Sequence, residues 1–402
     1  MGRVSLRALT GTRFLAALWV VVYHYALEFR FPSLHGGELH YLLGPHTPLD
    51  VLILQGHLAV DFFFLLSGFI LAYTYVTADG KVHGGARPFW VARVARIYPV
   101  YLLGLALAFW PYILHGVNPH GAASSGVSHL LMLQAWIPST QAWNQPSWSL
   151  SVEAFFYVLF PLLLPLIARR GRRGLWMVFV GAWVLLVLTL LALNEFGSST
   201  DLSSLAGWRS IVRYNPLPST PEFVAGAALG VLFVRHGASA FPLIRRLTSF
   251  GFDVFTAGAA IALAGALMLL FKFGIRSDGI DFAAGATMPL LSVLIVLLAF
   301  QRGVIAALLA RPVVVWLGEI SYGVYILHDP LWQLLRMFAA AQFQMSTGNP
   351  LLIPVYAVLV IGVAGLSFQF LESPLRRAIR AHWGQPKRVP VPVTREQSAV
   401  PI

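Results

Sequence analysis

The chain has 402 residues, 57% of them hydrophobic and 11% charged, and a formal net charge of +12. Ordinary soluble domains are roughly 25% charged, so this composition excludes a water-soluble fold. It contains no cysteine, which excludes disulfides, thiolate nucleophiles and cysteine-ligated metals. The positive charge does not imply nucleic acid, because Lys and Arg lie between apolar runs rather than on one soluble segment with interleaved aromatics.

In chain order, apolar runs separated by turn-rich or basic residues are predicted at approximately 10–28, 57–77, 90–114, 147–168, 174–193, 220–235, 252–272, 281–300, 313–338 and 350–372. About 20 such residues cross a bilayer as a helix. The expected fold is therefore all-α, a polytopic transmembrane helical bundle of about ten spanning helices. The basic start MGRVSLR runs into an apolar stretch without a small-residue cleavage site, so it reads as the first helix and not as a removable signal. The segment 129–137 is too short to cross and is expected to be re-entrant or interfacial.

With the N-terminus inside, 22 of the 28 Lys and Arg residues fall on the cytoplasmic side and 6 outside. That asymmetry predicts an N-in, C-in topology. Residues 384–402 are Pro-rich, polar and aperiodic, and are expected to form a disordered cytoplasmic tail behind a membrane domain at 1–383.

Ionisable groups within apolar spans are costly, which singles out His24, Asp61, Glu153, Glu222, Glu319 and His328. Arg13 and His24 frame the first helix in RFLAALWVVVYH. Their eleven-residue separation is about 16 Å along the axis, which puts Arg13 near the cytoplasmic mouth and His24 in the outer half. Asp61 in GHLAVDFFFLLSGFI and Glu153 in PSWSLSVEAFFYVLFP enter from the outside to a similar layer. The ninth span, LGEISYGVYILHDP, brings His328 and Asp329 there, with Tyr322 and Tyr325 below. A buried hydrogen-bond network is the structural alternative.

Arg93 and Arg96 open the third span in VARVARIYPVYL, beside Arg13. Guanidinium binds phosphate oxygens bidentately, so three arginines at one mouth suit a polyphosphate headgroup. Simple positive-inside flanking is the other reading. Glu222 and Glu319 follow Pro or Gly closely and fit helix-start charges. No HExxH, P-loop or GxSxG string occurs, so metal, NTPase and hydrolase readings lack a local signal.

Residues 5 to 380 resemble the acyltransferase 3 family of membrane O-acyltransferases, widespread in bacteria. The resemblance rests on Arg13 and His24 at their separation, VDFFFLLSGFI, RIYPVY, PSWSLSVEAFFYVLFP and GEISYGVYILH, in this order on ten hydrophobic spans. It implies a multi-pass protein of the bacterial cytoplasmic membrane that moves an acyl group from cytoplasmic acyl-CoA to a hydroxyl of a carbohydrate or glycolipid acceptor. Acetyl-CoA is the expected donor substrate, with no permanently bound cofactor or metal. His24 takes the family's essential histidine position and Arg13 its paired arginine.

On this basis His24 is expected to act as general base, oriented by Glu153 or Asp61, with an acyl-histidine intermediate as the alternative. Arg13, Arg93 and Arg96 are expected to hold the CoA phosphates, and Ser149, Tyr322 and His328 to line the substrate site. Ala59 stands where the family often has glycine, and no SGNH-type esterase sequence follows, so the acceptor is expected to reach the membrane core directly. The rival reading is a proton-coupled secondary transporter of a glycan precursor, but such transporters usually show related halves, and none is visible here.

Overall fold

A computed structural model describes residues 4–30, 47–114, 119–137, 143–199, 214–272, 276–277, 280–343 and 352–383. The expected tail, 384–402, lies outside the described residues. Fourteen helices are labelled here: α1 (Arg7–Arg30), α2 (Pro48–Leu54), α3 (Leu58–Tyr75), α4 (Ala86–Leu114), α5 (Pro119–Leu130), α6 (Trp148–Ala168), α7 (Arg172–Ser199), α8 (Pro216–His236), α9 (Ser249–Lys272), α10 (Phe282–Ala299), α11 (Val304–Leu309), α12 (Pro312–Phe343), α13 (Leu352–Ser367) and α14 (Ser373–Trp383). A π-helical turn, Phe368–Glu372, joins the last two. A two-residue antiparallel pairing, Arg276–Ser277 with Ile280–Asp281, is the strand structure among the described residues.

Each expected range holds a helix, yet seven helical segments among the described residues are long and apolar enough to cross a membrane. These lie on α3, α4, α6, α7, α8, α9 and the α13–α14 unit. The remaining expected ranges fall below that mark in length or composition among the described residues. Arg13 and His24 dilute α1, and Glu319, His328 and Asp329 dilute α12, while the described apolar stretch of α10 is Ala283–Ala299. The protein is a multi-pass membrane protein whose helices divide into centre and rim. In the spans on α3 and α8, 61% of residues are buried, against 17% in those on α7 and α9. The latter pair faces outward with exposed Met177, Val180, Leu188, Phe250, Val254 and Ile261, the surface that acyl chains cover.

Close backbone approach holds the centre together. A Cβ added at Gly226 of α8 would lie 1.9 Å from the carbonyl oxygen of Leu65 on α3, and one at Gly68 would lie 2.1 Å from that of Phe223. Only glycine permits this contact, the means by which membrane helices gain packing without a hydrophobic driving force. Gly318 of α12 meets α1 in the same way, 1.9 Å from the Thr10 carbonyl oxygen.

Prolines inside the helices free carbonyls that lipid cannot solvate, and polar side chains take them up. Pro161 leaves the Tyr157 carbonyl without its i+4 donor, and Trp90 Nε1 donates to it at 2.9 Å. Pro289 does the same to Gly285, which accepts from Trp183 Nε1 at 2.7 Å. Pro330 frees Ile326, which accepts from Asn144 Nδ2 at 2.9 Å. The last bond matters for function, because it ties the start of the Asn-Gln-Pro-Ser-Trp-Ser segment to the middle of α12.

The segment 129–137 does not cross. It begins at the end of α5 and continues as turns, with Leu130, Leu131, Leu133, Trp136 and Ile137 exposed.

Candidate active site

Four helices, α1, α3, α4 and α6, converge on one face of α12. Tyr322, Tyr325 and His328 recur at intervals of three on that face, so they follow one another along it. The Tyr322 hydroxyl donates to the Ile97 carbonyl of α4 at 2.7 Å. The Tyr325 hydroxyl lies 2.7 Å from Ser149 Oγ of α6, and both reach the Pro146 carbonyl, at 3.2 and 3.0 Å. Asn144 supplies the anchor that brings this α6 entry to α12.

Between these helices lies a cavity with about 890 Å³ of empty volume, its open mouth included. Arg13, Arg93, Arg96, Glu153, Ser149 and Tyr322 all line it, with Ser67, Tyr157 and Tyr325. Six of the nine residues given a site role from the sequence therefore share one space. Arg13 stands within electrostatic reach of Arg96, Glu153 and Glu372. Arg93 donates to the Tyr75 hydroxyl at 3.1 Å, and its guanidinium lies 5.5 to 5.8 Å from the ring centres of Tyr75, Phe89 and Tyr157. Such an aromatic cage fixes a cation while leaving its charge unneutralised.

Glu153 accepts from the Ser67 hydroxyl at 3.2 Å and from Tyr157 through a short bond. These bonds tie it to the arginine end of the cavity, and neither goes to His24. Asp61 lies on α3 within electrostatic reach of Glu222 of α8. Glu222 is 2% exposed, buried within α8 rather than displayed as a solvated helix-start charge.

His24 meets His328 instead. The His328 Nδ1 lies 2.6 Å from the Tyr325 carbonyl, which can only accept, so Nδ1 carries the proton. A neutral His328 then offers the lone pair of Nε2. His24 Nδ1 lies 3.2 Å from that nitrogen and 3.1 Å from the Val20 carbonyl, and it donates to both. The unprotonated nitrogen of His24 is thus Nε2. His328 is itself 1% exposed, and its carbonyl accepts from Tyr356 at 3.0 Å. Tyr325 links the two regions: its side chain lines the cavity and its carbonyl holds His328.

Sequence reasoning did not pair His24 with His328, nor did it single out Tyr157, Ser67 or Glu372. For Glu372 a signal existed, an acid at the end of an apolar run immediately before the basic SPLRR.

The architecture defines a multi-pass membrane protein with three arginines at one end of an internal cavity and a hydrogen-bonded pair of histidines beyond the other. The sequence profile of the acyltransferase domain (acyltransferase 3) family matches residues 6–368, and the chain belongs to that family. It is an enzyme of the O-acyltransferase type. It is 26% identical to the acyltransferase MdmB of Streptomyces mycarofaciens, over 94% of this chain and 93% of that protein. It is 25% identical to YrhL of Bacillus subtilis, provisionally named a peptidoglycan O-acetyltransferase, over 92% of this chain and 54% of YrhL. A Staphylococcus aureus protein provisionally named an O-acetyltransferase is 23% identical, over 95% of this chain and 59% of its own length. No solved structure matches the chain.

Proposed function

We propose that the protein transfers an acyl group, acetyl in the first instance, from cytoplasmic acyl-CoA to a hydroxyl of a carbohydrate-type acceptor. The acceptor classes are a surface polysaccharide, a lipid-linked glycan or a glycosylated metabolite. In this reading about ten helices span the bacterial cytoplasmic membrane, with both termini inside. The observation that carries it is a cavity running from three arginines to Ser149 and Tyr325, next to a histidine whose Nε2 bears the lone pair.

The CoA phosphates rest on Arg13, Arg93 and Arg96 through charge-assisted bonds, and the pantetheine arm follows the cavity toward Tyr325. His24 Nε2 takes the proton of the acceptor hydroxyl as its oxygen attacks the thioester carbonyl carbon. The C–S bond breaks and CoA leaves as the thiol once it receives that proton. While His24 is cationic, its Nδ1–H is held by the Val20 carbonyl and the His328 lone pair, the role that a carboxylate plays in a Ser-His-Asp system. Glu153 balances the arginine end rather than the imidazole.

The test is transfer of labelled acetyl from acetyl-CoA in membranes containing the protein. Arg96→Ala is expected to raise the KM for acetyl-CoA about tenfold with less effect on the acceptor. Unchanged donor dependence in single alanine variants of all three arginines would refute the donor site.

A further inference from the structure

Glu372 is 1% exposed and ends the π-helical turn Phe368–Glu372. Such a turn inserts an extra residue into the helix and re-aims the side chains that follow, and it recurs at functional sites. Here it delivers a carboxylate to the cationic end of the cavity from behind. One oxygen, Oε1, lies 3.4 Å from Arg96 Nη1 and 3.5 Å from Arg376 Nη1. Arg96 lines the cavity. Arg376 has a second contact, its guanidinium lying 5.9 Å from the centre of the Phe368 ring.

A buried carboxylate is costly to hold unless cations surround it, and removing one cation leaves it under-compensated. Glu372 satisfies that condition with Arg96 and Arg376 both at its Oε1, and Arg13 lies within its field. Arg13 and Arg96 also repel each other, and Glu372 is the carboxylate bonded to one of them. The two arginines holding Glu372 are not equivalent. Arg96 can turn toward an anion in the cavity, whereas Arg376 is kept beside Glu372 by its own helix and by Phe368.

We propose that Glu372 is a built-in counter-anion of the donor site. It occupies Arg96 while the site is empty, yields Arg96 to a donor phosphate when acyl-CoA binds, and reclaims it as CoA departs. Arg376 keeps Glu372 compensated throughout the exchange. Glu372 is therefore a positioning residue that touches neither the thioester nor the acceptor. It sets the affinity for donor and product alike, and it prevents product CoA from being held too tightly. This inference rests on the reading of Arg13, Arg93 and Arg96 as the acyl-CoA phosphate site.

The experiment measures the KM for acetyl-CoA, the inhibition constant for free CoA, and kcat, on the full chain in membranes. In Glu372→Gln, KM and the inhibition constant are both expected to fall about tenfold, well below the full strength of a charge contact at about 4 Å, because Arg376 offsets much of the Glu372 charge. The kcat is expected to fall with them, because CoA leaves more slowly. Unchanged or raised constants in correctly inserted Glu372→Gln would overturn the proposal. A purely structural role predicts weaker binding or less protein, not tighter binding.

If the Gln variant does not insert, Glu372→Asp gives the answer, because a carboxylate drawn back by one methylene competes less for Arg96. Both constants should then fall about threefold, and wild-type or raised values would overturn the proposal equally. Arg96→Ala separates the two levels of inference. If it and the alanine variants of Arg13 and Arg93 all leave the KM for acetyl-CoA unchanged, the donor site itself is misplaced. If it weakens donor binding while Glu372→Gln does not tighten it, the counter-anion role alone fails.

Discussion

Replacing His328 by Leu removes the acceptor of the His24 Nδ1–H without adding a charge or much changing the volume at a fully buried position. Two bonds are lost, the 3.2 Å contact to His24 and the 2.6 Å donation to the Tyr325 carbonyl. The first becomes charge-assisted as His24 takes up a proton, so it stabilises the transition state more than the ground state. Hydrogen bonds to charged groups are worth about 1.5–3 kcal/mol, which corresponds to roughly 10- to 160-fold in rate. The loss is incomplete because the Val20 carbonyl, 3.1 Å away, still holds the same proton. We therefore expect His328→Leu to lower kcat by that factor and to leave the KM for acyl-CoA within about twofold of wild type. The assay is transfer of labelled acyl groups in membranes, normalised to folded protein. His328→Gln, whose amide oxygen can accept, should recover part of the loss. Near-full activity in the Leu variant would refute the orienting role, and a loss as large as that of His24 substitution would place His328 in the chemistry itself.

The remaining predictions concern packing and topology. Gly226→Ala places a methyl carbon where 1.9 Å separates it from the Leu65 carbonyl oxygen, so a thermal melt in detergent should show a loss of about 1–3 kcal/mol or more. Gly181→Ala, which meets nothing within 4 Å, should be neutral or up to about 1 kcal/mol stabilising, and equal effects at the two sites would contradict the α3–α8 contact. Trp183→Phe strands the carbonyl that Pro289 frees and should cost about 1–3 kcal/mol in the same melt. Reporters fused after Ile402 and within 169–174 should both be cytoplasmic, while an external C-terminus would undo the assignment of the arginine mouth to that side.

Helix positions were legible because apolar length and basic punctuation are local, one-dimensional signals, and each of the ten expected ranges holds a helix. The separation of Arg13 from His24 along α1 was legible too. Counting 1.5 Å per residue from Arg13 separates it from His24 along α1, and the structure puts Arg13 in the cavity and His24 beyond Tyr325. Azimuth was not legible. Whether Glu153 or His328 faces His24 depends on how each helix is rotated about its axis, which contacts between segments far apart in sequence decide, such as Gly318 of α12 against Thr10 of α1. Glu153 thus came to Ser67, Tyr157 and the arginines, and Asp61 came to the vicinity of Glu222. Glu372 was hidden for a different reason, since a π turn breaks the 3.6-residue period from which inward-facing positions are read.

The central claim, that His24 Nε2 is the base for acyl transfer, is tested most directly by His24→Gln, which keeps polarity and much of the shape but cannot accept the proton and become cationic. General-base catalysis contributes about 10²- to 10⁴-fold. The measurement is the rate of labelled acetyl transfer from acetyl-CoA to the acceptor in membranes, with insertion and folded amount matched to wild type. A loss in that range, nearly as deep as that of His24→Ala and with the KM for acetyl-CoA preserved, is the predicted result, and near-wild-type transfer by His24→Gln would contradict the account.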